Sequence, residues 1–201
     1  MKEEKNIKRW RIVKSKTPII GIDDGGFDRF SKDDIDIPVF GVIMKGAAYV
    51  DGIIKGQLKK DDSQATNVIS QMIIESTHKN QLKAILFQGI TIAGFGVINI
   101  VHLFETTEIP VIVVLRKYPD YIKIKSALEK AFPDDLERWR SIKLAGKPIK
   151  VQEDPLLLLQ IAGIHPKDAY LLVKKCTAIG TIPEALRVAH FIGASIYHST
   201  T

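Results

Sequence analysis

At 201 residues, 45% of them hydrophobic, the chain is long enough to bury a sizeable core, and no apolar stretch approaches the length of a bilayer span. Its single cysteine, Cys176, excludes a disulfide framework and a thiolate metal cluster. The formal charge of +6 points to a polyanionic partner, yet seven basic residues, against only Glu3 and Glu4, lie before residue 17, and the rest of the chain is nearly neutral.

Residues 1–16 therefore read as a basic N-terminal arm and residues 17–201 as one domain. The arm either holds phosphates by counterion release or is a solvated tail with a short edge strand around Trp10. Its charged start lacks the apolar core of a signal peptide, so a cytoplasmic location is expected.

The first buried run, residues 19–24, ends in Asp23-Asp24 and is stopped by Gly25-Gly26. Successive strand side chains point to opposite faces, so only one of the two acids can face a given site, and the other serves the turn or a cap. Residues 29–36 read as a polar loop. Residues 38–45 and 49–58, β-rich and split by Gly46 and two alanines, predict an antiparallel hairpin. Asp61, Asp62 and Ser63 offer N-cap chemistry to an amphipathic helix with Ala65, Val68, Ile69, Met72 and Ile73 on one face. His78, near its end, serves the helix dipole.

The apolar run 84–87 is too short for a free-standing helix, and Gly89 closes it where a parallel strand hands over to a crossover. Ligands gather beyond the carboxyl ends of strands in open α/β sheets, and the residue standing there is Gln88. Residues 96–105 predict a helix buried between the sheet and another layer, with His102 as a hydrogen-bonded core histidine. A strand over 110–116 ends in Arg116. Asp120 caps a helix with Tyr121, Ile124, Leu128 and Ala131 on its apolar face, and Pro133 ends it.

From Trp139 to Val151 the pattern predicts a small basic hairpin, either a rest for a phosphate backbone or an edge ribbon guarded by lysines. A short apolar run occupies residues 156–159. Pro166 starts a helix with Ala169, Leu172, Val173 and Cys176 on one face. Thr181 and Glu184 predict a capping box for the last helix, which turns Leu186, Ala189, Gly193 and Ile196 inward and leaves Arg187 and His190 on or beside the opposite edge, as surface residues or phosphate partners.

Three antiparallel strands followed by βα units form an α/β order, and it is the layout of ribonuclease H-like folds, a mixed sheet flanked by helices. That layout sets the ends of strands 19–23 and 84–88 side by side. Gly21-Ile22-Asp23-Asp24-Gly25, Ala65-Thr66, Gly89-Ile90-Thr91, Ala93-Gly94-Phe95 and the stretch from Pro183 to His190 resemble the archaeal family called domain of unknown function 99. Through Gly21-Ile22-Asp23, Gln88-Gly89, the strand from Pro110 to Arg116 and the closing segment from Asp168 to Arg187, the chain also resembles endonuclease V.

Endonuclease V is a magnesium-dependent nuclease that cuts DNA or RNA near inosine, using carboxylates from the first strand, the first helix and the end of the fourth strand. The resemblance implies Asp23 as a catalytic and metal-binding carboxylate and Arg116 as the cation on the phosphate. It sets His165 near a histidine of that family, and Asp62, with Asp61, nearest to its glutamate. Gln88, Gly89, Thr91, Gly94 and Arg187 are the expected contacts to nucleic acid. Two departures bear on the metal, since Gln88 stands where an aspartate is expected and Gln64 where an acid is. A carboxamide offers a neutral carbonyl, whereas a two-metal nuclease shares carboxylates between its ions. Ala93-Gly94-Phe95 replaces that family's histidine-proline region.

The expected function is an endonuclease V-like nucleic-acid-binding protein, a weak or degenerate Mg²⁺-dependent phosphodiesterase acting on inosine-containing or other altered DNA or RNA. The alternative is a non-catalytic RNA- or protein-binding module that keeps the cleft without cleavage. A third, weaker alternative is a small-molecule enzyme holding an anion at the Gly89-Ile90-Thr91 turn, whose glycine spacing matches neither a P-loop nor a dinucleotide fingerprint. The oligomeric state stays open.

Overall fold

This computed structural model describes residues 13–28 and 35–198. The chain opens with three antiparallel strands, β1 (Pro18–Asp24), β2 (Asp36–Lys45) and β3 (Tyr49–Lys59). Helix α1 (Ala65–Ile74) leads to β4 (Ala84–Gln88), which pairs parallel to β1. A small hairpin, β5 (Thr91–Ile92) and β6 (Gly96–Val97), precedes α2 (Ile100–Thr107) and then β7 (Val111–Leu115), parallel to β4. Helices α3 (Tyr121–Ala131) and α4 (Leu136–Leu144) come next. Strands β8 (Ile149–Gln152) and β9 (Leu157–Ala162) complete the sheet antiparallel, before α5 (Pro166–Lys175) and α6 (Glu184–His198). The sheet runs in the order β3-β2-β1-β4-β7-β9-β8.

Central strands are apolar along their length because both faces are covered. Ile20, Ile22, Ile85, Phe87, Val111 and Val113 pack with Ile69, Ile73 and Leu103 of α1 and α2. Their alternates Ile19, Ala84, Leu86, Ile112 and Val114 face α5 and α6, meeting Leu172, Ala185 and Ala189. Each fully buried isoleucine contributes roughly 1.5–3 kcal/mol, and a one-residue slip would turn every one of them to the wrong layer. Cys176 belongs to this second core, where burial pushes its thiol up to about 12. A third cluster, Val97, Leu128 and Ile142, packs with Tyr121 and Trp139 between α3 and α4.

Residues 139–151 are not a hairpin. Leu136–Leu144 is helical because Arg138, Ser141 and Ile142 share one buried face, and only Ile149–Gln152 is extended. The helix expected from residue 96 begins at Ile100, since Gly96 and Val97 pair with β5 and the Asn99 side chain caps α2, accepting from His102 N at 3.0 Å. His102 is then exposed rather than a core histidine, because α2 buries Ile100, Leu103 and Thr107. Asp62 closes a turn instead of capping α1, with its carboxylate accepting from Lys59 N and Gln64 N at 3.3 and 2.7 Å. No capping box forms at Thr181, since Glu184 N donates to Cys176 O at 2.8 Å and its carboxylate accepts from Ala178 N. Ile196 is exposed, not inward.

Residues 1–12 of the expected arm, Trp10 among them, and residues 29–34 of the expected loop lie outside the described residues. Among the described residues no helix is long and apolar enough to cross a membrane.

Candidate active site

Strands β1, β4 and β7 run parallel and end together. Ile22 pairs with Phe87 and Gln88 with Val114, so Asp23, Gln88 and Arg116 meet at one end of the sheet. The pleat separates the two acids of β1. Asp24 follows Ile20 and Ile22 to the α1 side, where its carboxylate accepts from the backbone N–H of Ala93 and ties β1 to the β5–β6 turn. Asp23 points to the α6 side. Its Oδ1 accepts from Asp24 N at 3.0 Å, and its Oδ2 lies 3.1 Å from His190 Nδ1.

Two glycines bring α6 that close. A Cβ on Gly21 would stand 2.5 Å from the backbone carbon of Ala185, and one on Gly193 would overlap the carbonyl oxygen of Asp24. The helix therefore lies directly on β1 and presents His190 to the strand end. Burial raises the Asp23 carboxyl above its ordinary value, opposed by the Asp24 N–H and then by His190. An ionised Asp23 only accepts, so in this contact the imidazole donates from Nδ1.

Around this pair lies a cleft of about 770 Å³. Gln88 and Arg116 line it from the strand ends, Arg187 and His190 from α6, Pro155 and Leu156 from the β8–β9 turn, and residues 179–182 from the loop before α6. Arg187 is held by Glu184, Nε to Oε2 3.0 Å, and lies over the Phe191 ring. Among the described residues Arg116 makes no ion pair, so its planar guanidinium is open to an anion.

Residues 15–197 match the family model described as endonuclease dU. The chain belongs to that family. A UPF0215 protein of Methanothermobacter thermautotrophicus is 41% identical over 187 residues, covering 93% of this chain and 91% of that protein. A solved protein of unknown function from Archaeoglobus fulgidus matches with a TM-score of 0.80 at 31% identity, over 90% of this chain and 98% of that one. An endonuclease V of Ciona intestinalis, in complex with a 24mer DNA containing an inosine, matches with a TM-score of 0.60 over 92% of this chain and 87% of that one. At 12% identity the latter speaks for the fold alone. The resemblance to an archaeal, endonuclease V-like family and the ribonuclease H-like layout are thereby borne out.

In this endonuclease dU family member, the cleft gathers Asp23, Gln88, Arg116 and Arg187 of the residues expected from sequence. The others lie elsewhere. His165 caps α5, its Nδ1 accepting from Lys167 N at 3.3 Å, and because β9 runs antiparallel to β7 it sits at the opposite end of the sheet. Asp62 belongs to the turn before α1. Thr91 and Gly94 belong to the β5–β6 hairpin on the α1 side, where Asp61 Oδ1 accepts from Phe95 N at 2.7 Å. Gly89 turns the chain out of β4 at a φ of 90° without lining the cleft.

His190, read from the sequence as an edge residue, completes the cluster. The signal for it was a pair of glycines with no turn to explain them, Gly21 within a strand and Gly193 within a helix, which mark a close backbone approach.

Magnesium, implied by the endonuclease V resemblance, meets a lining of two aspartates and one carboxamide here, with Asp23 engaged by Asp24 N and His190, Asp24 by Ala93 N, and Gln88 neutral. No group of three or more His, Cys, Asp or Glu gathers for a metal among the described residues. This donor set fits a single hard cation whose shell is completed by water and substrate phosphate, not two ions bridged by shared carboxylates.

Proposed function

We propose that the chain is an endonuclease that cuts a nucleic-acid strand beside an altered base, deoxyuridine or inosine, at the Asp23–His190 cleft. The observation that carries this reading is the meeting of an Asp–His pair with two arginines, Arg116 and Arg187, in one cleft. The family description supports deoxyuridine, and the inosine-containing DNA bound by the Ciona protein supports inosine.

In this mechanism Arg116 and Arg187 hold the phosphate, since a guanidinium fork matches two phosphate oxygens at once. His190 Nε2 takes the proton of the attacking water as the ester P–O bond on the far side of the phosphorus breaks and its oxygen leaves to be protonated by solvent, while Asp23 fixes the ring and stabilises the imidazolium that forms. Magnesium, when held by Asp23 and Gln88, supplies charge neutralisation at the phosphate. A second reading, binding without cleavage, is favoured by the neutral Gln88 at the strand end where the endonuclease V resemblance implies an aspartate, and the cleft then serves as a surface for nucleic acid or protein.

Single-stranded and duplex oligonucleotides carrying deoxyuridine, inosine or only ordinary bases, incubated in Mg²⁺ or in EDTA, separate the two readings. Scission at the altered base, lost in Asp23→Ala, is the expected result. Binding without scission under any condition leaves the second reading, and scission undiminished in Asp23→Ala removes the mechanism.

A further inference from the structure

On the α3–α4 side of the molecule lies a separate groove of about 330 Å³, lined by Tyr121, Trp139, Ile142, Lys143, Gly146 and Lys147. Its aromatic walls meet edge to face, with ring centroids 6.3 Å apart at 74°, and the third core cluster holds both rings from below. Such a pair is fixed in place before any ligand arrives, so a flat apolar group entering the groove orders little else. The rim is basic. Among the described residues neither Lys143 nor Lys147 makes an ion pair, and neither does Lys117 in the segment leading to α3. An apolar slot with cations at its edge suits a ligand with a planar face and an anionic tail.

The groove is joined to the cleft by the chain itself. Arg116 lines the cleft and Tyr121 lines the groove, five residues later. That segment spans at most about 18 Å when extended, the length of roughly five stacked nucleotides at ~3.4 Å each. Tyr118, midway along it, is 57% exposed.

Resting on the nuclease reading for the position of the scissile phosphate, we propose that Tyr121 and Trp139, flanked by Lys143 and Lys147, form a stacking subsite for an unpaired base of the strand held in the Asp23 cleft. Every base offers a π-face, so the subsite reads single-strandedness rather than sequence, and its lysines pair with the phosphates on either side. It is a binding device, placed so that a strand gripped at Arg116 continues across the start of α3.

The chain has two tryptophans, so a Trp10→Phe background makes fluorescence report on Trp139. Titration with single-stranded oligothymidylate, which lacks an altered base, is expected to quench Trp139 in step with binding followed by anisotropy. Lys143→Glu with Lys147→Glu, both exposed, is expected to lower the slope of log affinity against log salt by about 1.4, the share of two phosphates on a single strand. Trp139→Leu, with folding checked by circular dichroism, is expected to weaken binding roughly fivefold to a hundredfold. Oligothymidylate that binds without quenching, or that fails to bind at low salt, overturns the subsite, as does an unchanged salt slope in the double lysine variant. The nuclease reading fails separately: quenching without scission of altered-base strands leaves the subsite standing, and scission without quenching removes the subsite alone.

Discussion

His190 Nδ1 stands 3.1 Å from Asp23 Oδ2 across 167 residues of sequence, one partner from the last helix and the other from the first strand. The contact couples fold to chemistry, because the same glycines that seat α6 on β1 set the distance between acid and imidazole. If the pair moves a proton, His190→Ala lowers the rate of the cleavage step on a bound altered-base oligonucleotide by about 10²–10⁴-fold, and Asp23→Asn lowers it at least as far. Single-turnover rates at saturating protein are the measurement, and a full rate in either variant would exclude the pair from catalysis.

Asp23 also bears on stability. Burial raises its carboxyl, so the native state binds this proton more tightly than the unfolded state does. Stability therefore falls as pH rises from the ordinary carboxylate range through the raised value, and is regained on acidification. Asp23→Asn, which never ionises, is expected to raise Tm at neutral pH, with the gain shrinking toward acid. A relief of about 1 kcal/mol corresponds to roughly 2–4 °C at this chain length. A lower Tm for the asparagine variant at neutral pH would contradict the account.

Gln88 ends β4 next to the end of β1, where only its neutral carbonyl faces a cation. Gln88→Asp would set two carboxylates at one site. Without metal their repulsion raises both and lowers Tm, and with Mn²⁺ the affinity should improve by at least about tenfold, so that Tm climbs with metal concentration. Calorimetric titration decides it, and an unchanged affinity would show that the two positions share no ion.

The central strands were legible in the sequence because burial on both faces leaves an unbroken apolar run, as in residues 84–87; the layout then set Asp23 beside Gln88, and Arg116 joined them only through the resemblance to endonuclease V. His190 was not legible, because its partner lies on the first strand, and the glycines that mark the close approach, Gly21 and Gly193, gain that meaning only once β1 and α6 are known to touch. Helix α4 was misread for a similar reason. Its buried face contains Arg138 and Ser141, which look solvated until their distant partners are known, and the lysine–isoleucine alternation of residues 147–151 then dominated the pattern.

Gly193 makes the close approach of α6 testable. Gly193→Ala places a methyl group against the Asp24 carbonyl, and a rigid strand on one side and a helix on the other leave little room to yield. Overpacking of this kind costs about 1–3 kcal/mol. Urea unfolding should show that loss, and because the displaced helix carries His190, the rate per folded molecule should fall as well. A loss of stability with full activity would mean that the helix does not set the geometry of the pair.

Arg138, 6% exposed, fastens the parts that surround the site without belonging to it. Its Nε donates to Asp135 Oδ2 at 2.8 Å, one terminal nitrogen donates to Phe95 O and the other to Asp61 O at 2.7 Å, and the guanidinium lies 4.1 Å from the centre of the Phe132 ring. Helix α4 is thereby pinned to the turn before α1 and to the β5–β6 hairpin, whose Ala93 N–H holds Asp24. Lysine keeps the charge but not the fork, so Arg138→Lys leaves at least one partly buried carbonyl without its donor, at about 1 kcal/mol, the low end for a lost buried partner. Arg138→Ala also strands Asp135 and should cost more, toward the roughly 3–5 kcal/mol typical of a broken buried pair, reduced because Asp135 is 28% exposed. The link reaches β1 through Asp24 rather than Asp23, so both variants should lose stability in urea while keeping their rate per folded molecule. A rate that falls while stability holds would place Arg138 in the reaction instead.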